Sequence, residues 1–318
     1  MGYVQKRNGN YRARYKDPVG HVHSNTFDRK MDAERFLVSI EADKQKGNWI
    51  DPRFADMPVA RWAEEFMALC RRLAPIAQET YQRDLDRYVL PRFGSYRLAL
   101  LPADEIENWL NDELAAGFAP SSVHRHYRTL RRMLQVAVEK QKIPANPCDR
   151  VDPPKVPKRE MTFLGWDQVV RLAEAHNDRH RTLIYVAVDS GMRWSELIGL
   201  RRSRVDTRRH KIRVTDQLVQ LEDNSFLRRE PKTGAGVRSI TMSPPTAERL
   251  AAHVAQFAND GPDGLVFPNS AGNPIAAPSF LNNHFLRAQR VAGVSCRFHD
   301  LRHTSEALAI AGQEVLAA

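Results

Sequence analysis

The sequence predicts a multidomain α+β protein, on three observations. Short β-forming runs separated by turn residues fill the first thirty positions. Apolar side chains then recur at helical spacing from residue 58 to about 145. A proline-rich stretch, Pro144 to Lys158, separates them from a second region in which apolar helices, short strands and a final helix follow one another. A chain of 318 residues with 42% hydrophobic content can bury more than one core. The expected partition is residues 1–54, residues 58–145, a linker at 146–160, and residues 161–318.

Tyr3 to Lys6, Tyr11 to Tyr15 and His21 to Phe27 each carry β-formers. Asn8-Gly9-Asn10 and Asp17-Pro18-Val19-Gly20 lie between them as turn signals, so a three-stranded sheet is expected. A helix from about Lys30 to Lys46 follows, with Phe36 and Ile40 on its apolar stripe and Gly47 near its end. Lys6, Arg7, Arg12, Arg14, Lys16, Arg29 and Lys30 face only Asp17 and Asp28 in this region. Basic residues interleaved with Tyr11 and Tyr15 on one sheet suit entry into a DNA groove, and Lys6, Arg12 and Arg14 are the candidate contacts.

In the next region Trp62, Phe66, Leu69 and Leu73 form one helical stripe, Tyr81, Leu85, Tyr88 and Val89 a second, and Ile106, Trp109, Leu110 and Leu114 a third. These are read as core. The last helix differs. Ser121 or Ser122 is the expected cap, Val123, Tyr127, Leu130 and Leu134 the buried side, and His124, Arg125, His126, Arg128, Arg131 and Arg132 the basic side. A basic amphipathic helix can lie in a major groove, where phosphate contacts set register and a few side chains read base edges. Arg125, Arg128, Arg131 and Arg132 are the candidates.

Beyond the linker, read as extended and semi-rigid, Leu164, Trp166, Val169, Val170 and Leu172 open a helical region. Leu183 to Leu200 then reads as a strongly apolar helical pair broken at Ser190-Gly191. The break introduces Arg193 and Glu196, which share a helical face at i, i+3. Ile212 to Val214, Gln217 to Leu221 and Arg238 to Met242 are strand-like, with Pro231-Lys232-Thr233-Gly234-Ala235-Gly236 between the last two. That order puts Lys232 at the tip or flank of a hairpin.

The net charge of +10 favours a polyanionic partner. No apolar run is long enough to span a bilayer, and Met1 to Asn8 lacks the apolar region of a signal peptide, so a location in a cytosol or nucleoid is expected, with no membrane partner. Cys70, Cys148 and Cys296 are odd in number and far apart, which argues against a disulfide framework or a zinc knuckle. His299 and His303 at i, i+4 lack the adjacent glutamate of a zinc hydrolase, so neither a metal nor a cofactor is expected.

Phe298-His299-Asp300-Leu301-Arg302-His303 organises the catalytic reading. His299 and Arg302, three apart, would leave one face of a helix as an imidazole beside a planar cationic fork, a pairing suited to phosphate. Together, Ser190-Gly191-Met192-Arg193-Trp194-Ser195-Glu196-Leu197, Pro231-Lys232-Thr233 ahead of Arg238-Ser239-Ile240, and His299-Asp300-Leu301-Arg302-His303 resemble the tyrosine recombinases, the phage-type integrases, in order and approximate spacing. The resemblance covers nearly the whole chain. It implies an arm-site-binding sheet module, a helical SAM-like core-site-binding domain, and a mainly α catalytic domain with a small antiparallel sheet.

The resemblance also implies a chemistry. Metal-free strand exchange needs fixed positive charge and donated hydrogen bonds around a pentacoordinate phosphorus. Arg193 and Arg302 would clamp the non-bridging oxygens, Lys232 would protonate the leaving 5′ oxygen, and His299 would assist proton transfer. Glu196 would orient the site and His303 would support it. The implied partners are duplex DNA at core and arm sites, a host DNA-bending protein, and, at full length, three further copies in a tetramer. Family members place a second His or Trp and then the tyrosine nucleophile beyond the HxxR helix. This chain stops at Ala318 and its last tyrosine is Tyr185. The expectation is therefore a C-terminally truncated recombinase that binds a phosphate without cutting it. The alternative is a natural end, with Leu316-Ala317-Ala318 resembling a degradation tail, in a non-catalytic relic or a competitor for attachment sites.

Overall fold

The computed structural model describes residues 2–18, 20–45, 49, 51, 54, 56–157, 160–230 and 236–310. Its chain forms two compact units, Met1–Lys158 and Arg159–Ala318. Gly47, Lys232 and the tail at 316–318 lie outside the described residues.

The first unit opens with an antiparallel sheet of order β1-β2-β3: β1 is Tyr3–Arg7, β2 Asn10–Lys16 and β3 Val22–Phe27. Asn8 and Gly9, with φ of 49° and 83°, form the β1–β2 turn, where two positive φ values match the twist of the flanking strands. Helix α1, Lys30–Gln45, packs on the face carrying the buried Ala13 and Tyr15 and contributes Ala33. Phe36 and Ile40, the expected stripe, are only half-buried.

Helices α2 (Val59–Cys70), α3 (Pro75–Asp84), α4 (Leu90–Phe93), α5 (Ala103–Ala115) and α6 (Pro120–Glu139) build the rest of this unit. Their core holds Trp62, Phe66, Leu85, Val89, Phe93, Ile106, Trp109, Val123, Tyr127, Leu130 and Leu134. The buried Trp62 indole donates to the Met133 carbonyl at 3.0 Å, tying α2 to α6. Leu69 and Leu73 are not core: α2 turns Ala63 and Cys70 inward and leaves Leu69 44% exposed, and Leu73, past the end of α2, is 38% exposed. Neither Ser121 nor Ser122 caps α6. Pro120 takes its first position, where a fixed φ and a missing N–H cost nothing, and Ala119 is the cap residue. The linker is also corrected at its start. Pro147–Arg150 forms a 3₁₀ turn, Cys148 and Val151 are buried, and the Tyr127 hydroxyl donates to the carbonyls of Cys148 and Val151 at 2.8 and 3.2 Å.

In the second unit, α7 (Trp166–Glu174) and α8 (Asp178–Ser190) pack together, and α8 is buried from Thr182 to Val188. Gly191 ends α8 at φ 60°, and α9 (Trp194–Ile198) follows, as the break at Ser190-Gly191 predicts. Strands β4 (Val205–Asp206), β5 (Lys211–Val214) and β8 (Arg238–Thr241) form one sheet, and β6 (Gln217–Gln220) with β7 (Phe226–Arg229) a separate ribbon. The hairpin expected between Gln217–Leu221 and Arg238–Met242 is therefore absent from the described residues. β6 closes on the nearer β7 through a tight turn in which Leu221 N–H donates to the Ser225 carbonyl at 2.9 Å, while β8 pairs with β5. Helices α10 (Pro244–Phe257), α11 (Ala277–Phe280), α12 (Leu286–Ala292) and α13 (Asp300–Ile310) complete the unit, with α10 and α13 both packed on α8.

Candidate nucleic-acid interface and phosphate site

In the second unit the α8–α9 turn and α13 meet at one point. The guanidinium of Arg302 donates to the Gly191 carbonyl at 2.6 Å. A Cβ on Gly191 would stand 3.2 Å from the Ser305 hydroxyl, so the left-handed residue also permits the close seating of α13. The segment carrying Arg193 and the helix carrying Arg302 are thus fixed to each other through the backbone between α8 and α9.

Glu196 organises the arginines. It is 4% exposed and accepts from the Arg193 backbone N–H at 2.9 Å, the Arg193 guanidinium at 3.1 Å, and Arg238 at 3.2 and 2.8 Å. Burial alone would raise its carboxyl, but the bonds from Arg238 and Arg193 outweigh burial and hold it below the usual carboxylate range. Glu196 is therefore an anion fixed beneath two cations. Arg193 remains 54% exposed and can present its outer N–H groups to a ligand. Arg238 stands in the quoted Arg238-Ser239-Ile240 stretch but was given no role from the sequence. Only the pairing of β8 with β5 brings it to Glu196, a contact 42 positions apart.

His299 precedes α13 and is exposed, and its ring meets that of His303 edge-on at 4.9 Å. Desolvation first, then the nearby His303, Arg302 and Arg297, lower its pKa, so a neutral ring at pH 7 can give or accept one proton. Arg302 and His303 also approach Glu306, at 3.5 and 3.9 Å. Asp300, 2% exposed, anchors the helix start: it accepts the Arg297 backbone N–H at 2.8 Å and the Arg297 guanidinium at 2.6 Å. Its pKa is lowered; burial opposes this, and Arg297 overrides it. The sequence reading passed over Arg297; its RxxD spacing to Asp300 at a helix start is the signal that could have found this anchor.

In the first unit, α6 turns Arg125, Arg128, Arg131 and Arg132 outward around a groove of about 560 Å3 shared with Ile76, Thr80 and Tyr81 of α3 and its neighbour turn. Arg131 pairs with Asp149 at 2.6 Å, Arg132 with Glu139 at 3.0 Å, and Arg125 with the buried Asp84 at 3.3 Å. Arg128 has no carboxylate partner among the described residues. His126 does not belong to this basic face. It is 0% exposed, lies 2.9 Å from Glu113 and stacks on Tyr88 at 3.7 Å. His124 is half-buried, 3.3 Å from the Pro154 carbonyl.

The sheet divides its residues differently from the sequence reading. Tyr11 and Tyr15 alternate onto the α1 face with Ala13, so the basic residues are not interleaved with them on one surface. Arg12 and Arg14 lie on the opposite, open face, cross-strand from Gln5 and Thr26 and from Tyr3 and Ser24. Lys6 stands opposite Tyr11, with its ammonium 5.7 Å from that ring, and so falls on the other parity. Arg7, opposite Asn10, joins Arg12 and Arg14 on the open face.

Residues 162–314 match the model of the phage integrase family, and residues 1–46 match that of the phage integrase N-terminal domain. The chain belongs to the tyrosine recombinases of the phage integrase family. It is 27% identical, over 98% of its length and 85% of the relative's, to a putative prophage phiRv2 integrase of Mycobacterium tuberculosis. It is 25% identical to the integrase of Mycobacterium phage L5 over 93% and 82% of the two chains. Among solved structures, the Tn1549 transposon integrase in complex with transposon right end DNA shares the integrase fold, with a TM-score of 0.67 at 21% identity over 81% and 90% of the chains. A lambda integrase dimer bound to a COC′ core site has a TM-score of 0.60 at 17% identity over 98% and 88%. The multidomain α+β architecture, with its N-terminal three-stranded sheet, largely helical body and small sheets, is that of these recombinases. Among the described residues no helix is long and apolar enough to cross a membrane.

Proposed function

We propose that this integrase binds duplex DNA at attachment sites and that its second unit holds the scissile phosphate between Arg193 and Arg302, with Lys232 as general acid and His299 as proton-transfer partner. Site-specific recombination is the activity of the family; the residue roles are our reading. The observation that carries it is the Gly191 junction, where Arg302 grips the backbone two residues ahead of Arg193 while buried Glu196 fixes Arg193 from below. Fixed cations that need no reorganisation suit the charge that develops on a transferring phosphoryl group. In this reading residues 1–54 take arm sites through Arg12 and Arg14 of the open sheet face, and residues 58–145 take the core site through Arg125, Arg128, Arg131 and Arg132. A tetramer on DNA and a host bending protein belong to the same scheme, and the protein works in the host cytoplasm.

A second reading concerns the covalent step. Tyr185, the one tyrosine in residues 161–318, is 1% exposed and donates to Glu174 at 3.0 Å. Burial, then that bond, pushes its hydroxyl up to about 12, so it is neither accessible nor readily ionised. Tyr185 is therefore unsuited to the covalent step, and residues 1–318 by themselves are expected to bind an attachment site without cleaving it. Denaturing gels of the chain on nicked core-site DNA test this. Binding without an adduct supports it, and an adduct overturns it.

A further inference from the structure

The N-terminal module contains a cluster that the phosphate site does not use. Asp17 follows β2, His23 lies in β3, and Asp51 comes after α1. One ligand atom from each lies within 4.8 Å of the other two. Asp17 and Asp51 are 7% and 6% exposed. Two carboxylates and an imidazole this close together are a donor set that suits a shared cation.

The donors are also oriented. Asp17 Oδ1 accepts the His21 backbone N–H at 2.8 Å, which aims Oδ2 at the two imidazoles, 3.1 Å from His23 Nε2 and 3.1 Å from His21 Nδ1. The His23 ring stacks on Tyr15 at 5.4 Å and meets Trp49 edge-on at 5.5 Å, so it is held on two sides. Ligands about 2.0–2.1 Å from a tetrahedral ion stand roughly 3.3 Å from one another. The two Asp17–imidazole spacings of 3.1 Å approach that value.

An independent observation says why the module would use an ion. Among its described residues only Ala13, Tyr15 and Ala33 are fully buried apolar side chains. With so small a core of its own, this part of the first unit would gain from a staple. Asp17 and His23 flank the β2–β3 turn, and Asp51 lies on the segment that leaves α1, so an ion bound to all three would pin both ends of the module.

We propose that Asp17, His23 and Asp51 form a binding site for a divalent transition metal of the zinc class, with His21 or water completing the shell. Mixed imidazole and carboxylate donors fit Zn2+, Co2+ or Mn2+ better than Ca2+, which prefers more oxygens. The proposal is independent of the phosphate site, because the two clusters lie in different units. The untagged full chain, stripped with a chelator, is titrated with Zn2+ by calorimetry and with Co2+ by visible absorption. The expected result is one high-affinity equivalent, a tetrahedral Co2+ spectrum, and a higher thermal midpoint with metal. Asp51→Asn and His23→Gln should each weaken affinity at least about tenfold. Circular dichroism checks the fold of each variant, and the Co2+ spectrum of the unaltered chain reports the ligand set even where a variant fails to fold. Absence of uptake, an octahedral spectrum, or uptake unchanged by Asp51→Asn would overturn the site and leave only hydrogen bonds between Asp17 and the two histidines.

Discussion

Glu196→Gln removes one charge and almost no volume, and the structure sets its cost. The carboxylate accepts four bonds, two from Arg238, one from the Arg193 guanidinium and one from the Arg193 backbone. A glutamine amide turns one oxygen into a donor that faces N–H groups, so at least one bond is lost and one contact becomes repulsive. A hydrogen bond to a charged group is worth about 1.5–3 kcal/mol, and breaking a fully buried pair costs about 3–5 kcal/mol. Solvent reaches this site, since Arg193 is 54% and Arg238 27% exposed, and screens both guanidiniums. The expected loss is therefore about 2–3 kcal/mol, or roughly 4–12 °C in the midpoint of the unit. Because the Glu196 carboxyl is held below its ordinary range, this stabilisation is present above the unfolded glutamate pKa and fades as pH falls. Calorimetry of wild type and variant at pH 7 and again near pH 4 checks both points. A midpoint shift under about 1 °C at pH 7, or the same gap at both pH values, would refute the view that an ionised Glu196 holds the arginines.

Three further outcomes follow from the same structure. His180 and His253 are buried and, chiefly by desolvation, held down to about 4, while unfolded histidines protonate near 6.5. The unfolded chain then binds more protons between those values, so stability rises with pH across the window and falls by about 3 kcal/mol per residue on acidification; His180→Phe should flatten the pH dependence of urea midpoints, and an unchanged slope would contradict this. Arg128→Ala should weaken binding to all duplexes alike and lower the slope of log affinity against log salt by about one, measured by fluorescence anisotropy, because this exposed guanidinium has no carboxylate partner among the described residues to release; a flat response removes it from the interface. Gly191→Ala puts a side chain at φ 60° and 3.2 Å from the Ser305 hydroxyl, and should cost roughly 1–2 kcal/mol in chemical denaturation, where a neutral effect would show that α13 moves aside freely.

Local patterns carried much of this fold. The Asn8-Gly9 turn, the stripes through Trp62, Phe66 and Ile106, and the break at Ser190-Gly191 were all legible, because each follows from neighbours within a turn or two. What was not legible depends on distant partners. His126 looks basic until Glu113 and Tyr88 bury it, and the start of the linker looks extended until the Tyr127 hydroxyl collects its carbonyls. Strand β7 and the β5–β8 pairing, which delivers Arg238 to Glu196, are choices of register that a single strand does not encode. Lys6 failed on parity, since one residue of offset moves a side chain to the other face.

The most direct test of the central claim uses core-site duplexes in which single phosphates are replaced, one at a time, by neutral methylphosphonates. Binding by wild type, Arg193→Ala and Arg302→Ala is then compared at each position. If both arginines grip the scissile phosphate, one substitution, at the cleavage position, weakens wild type and abolishes the difference between wild type and each variant. If the two variants map to different phosphates, or lose the same affinity on every duplex, the arginines do not share one phosphate and the proposed site is wrong.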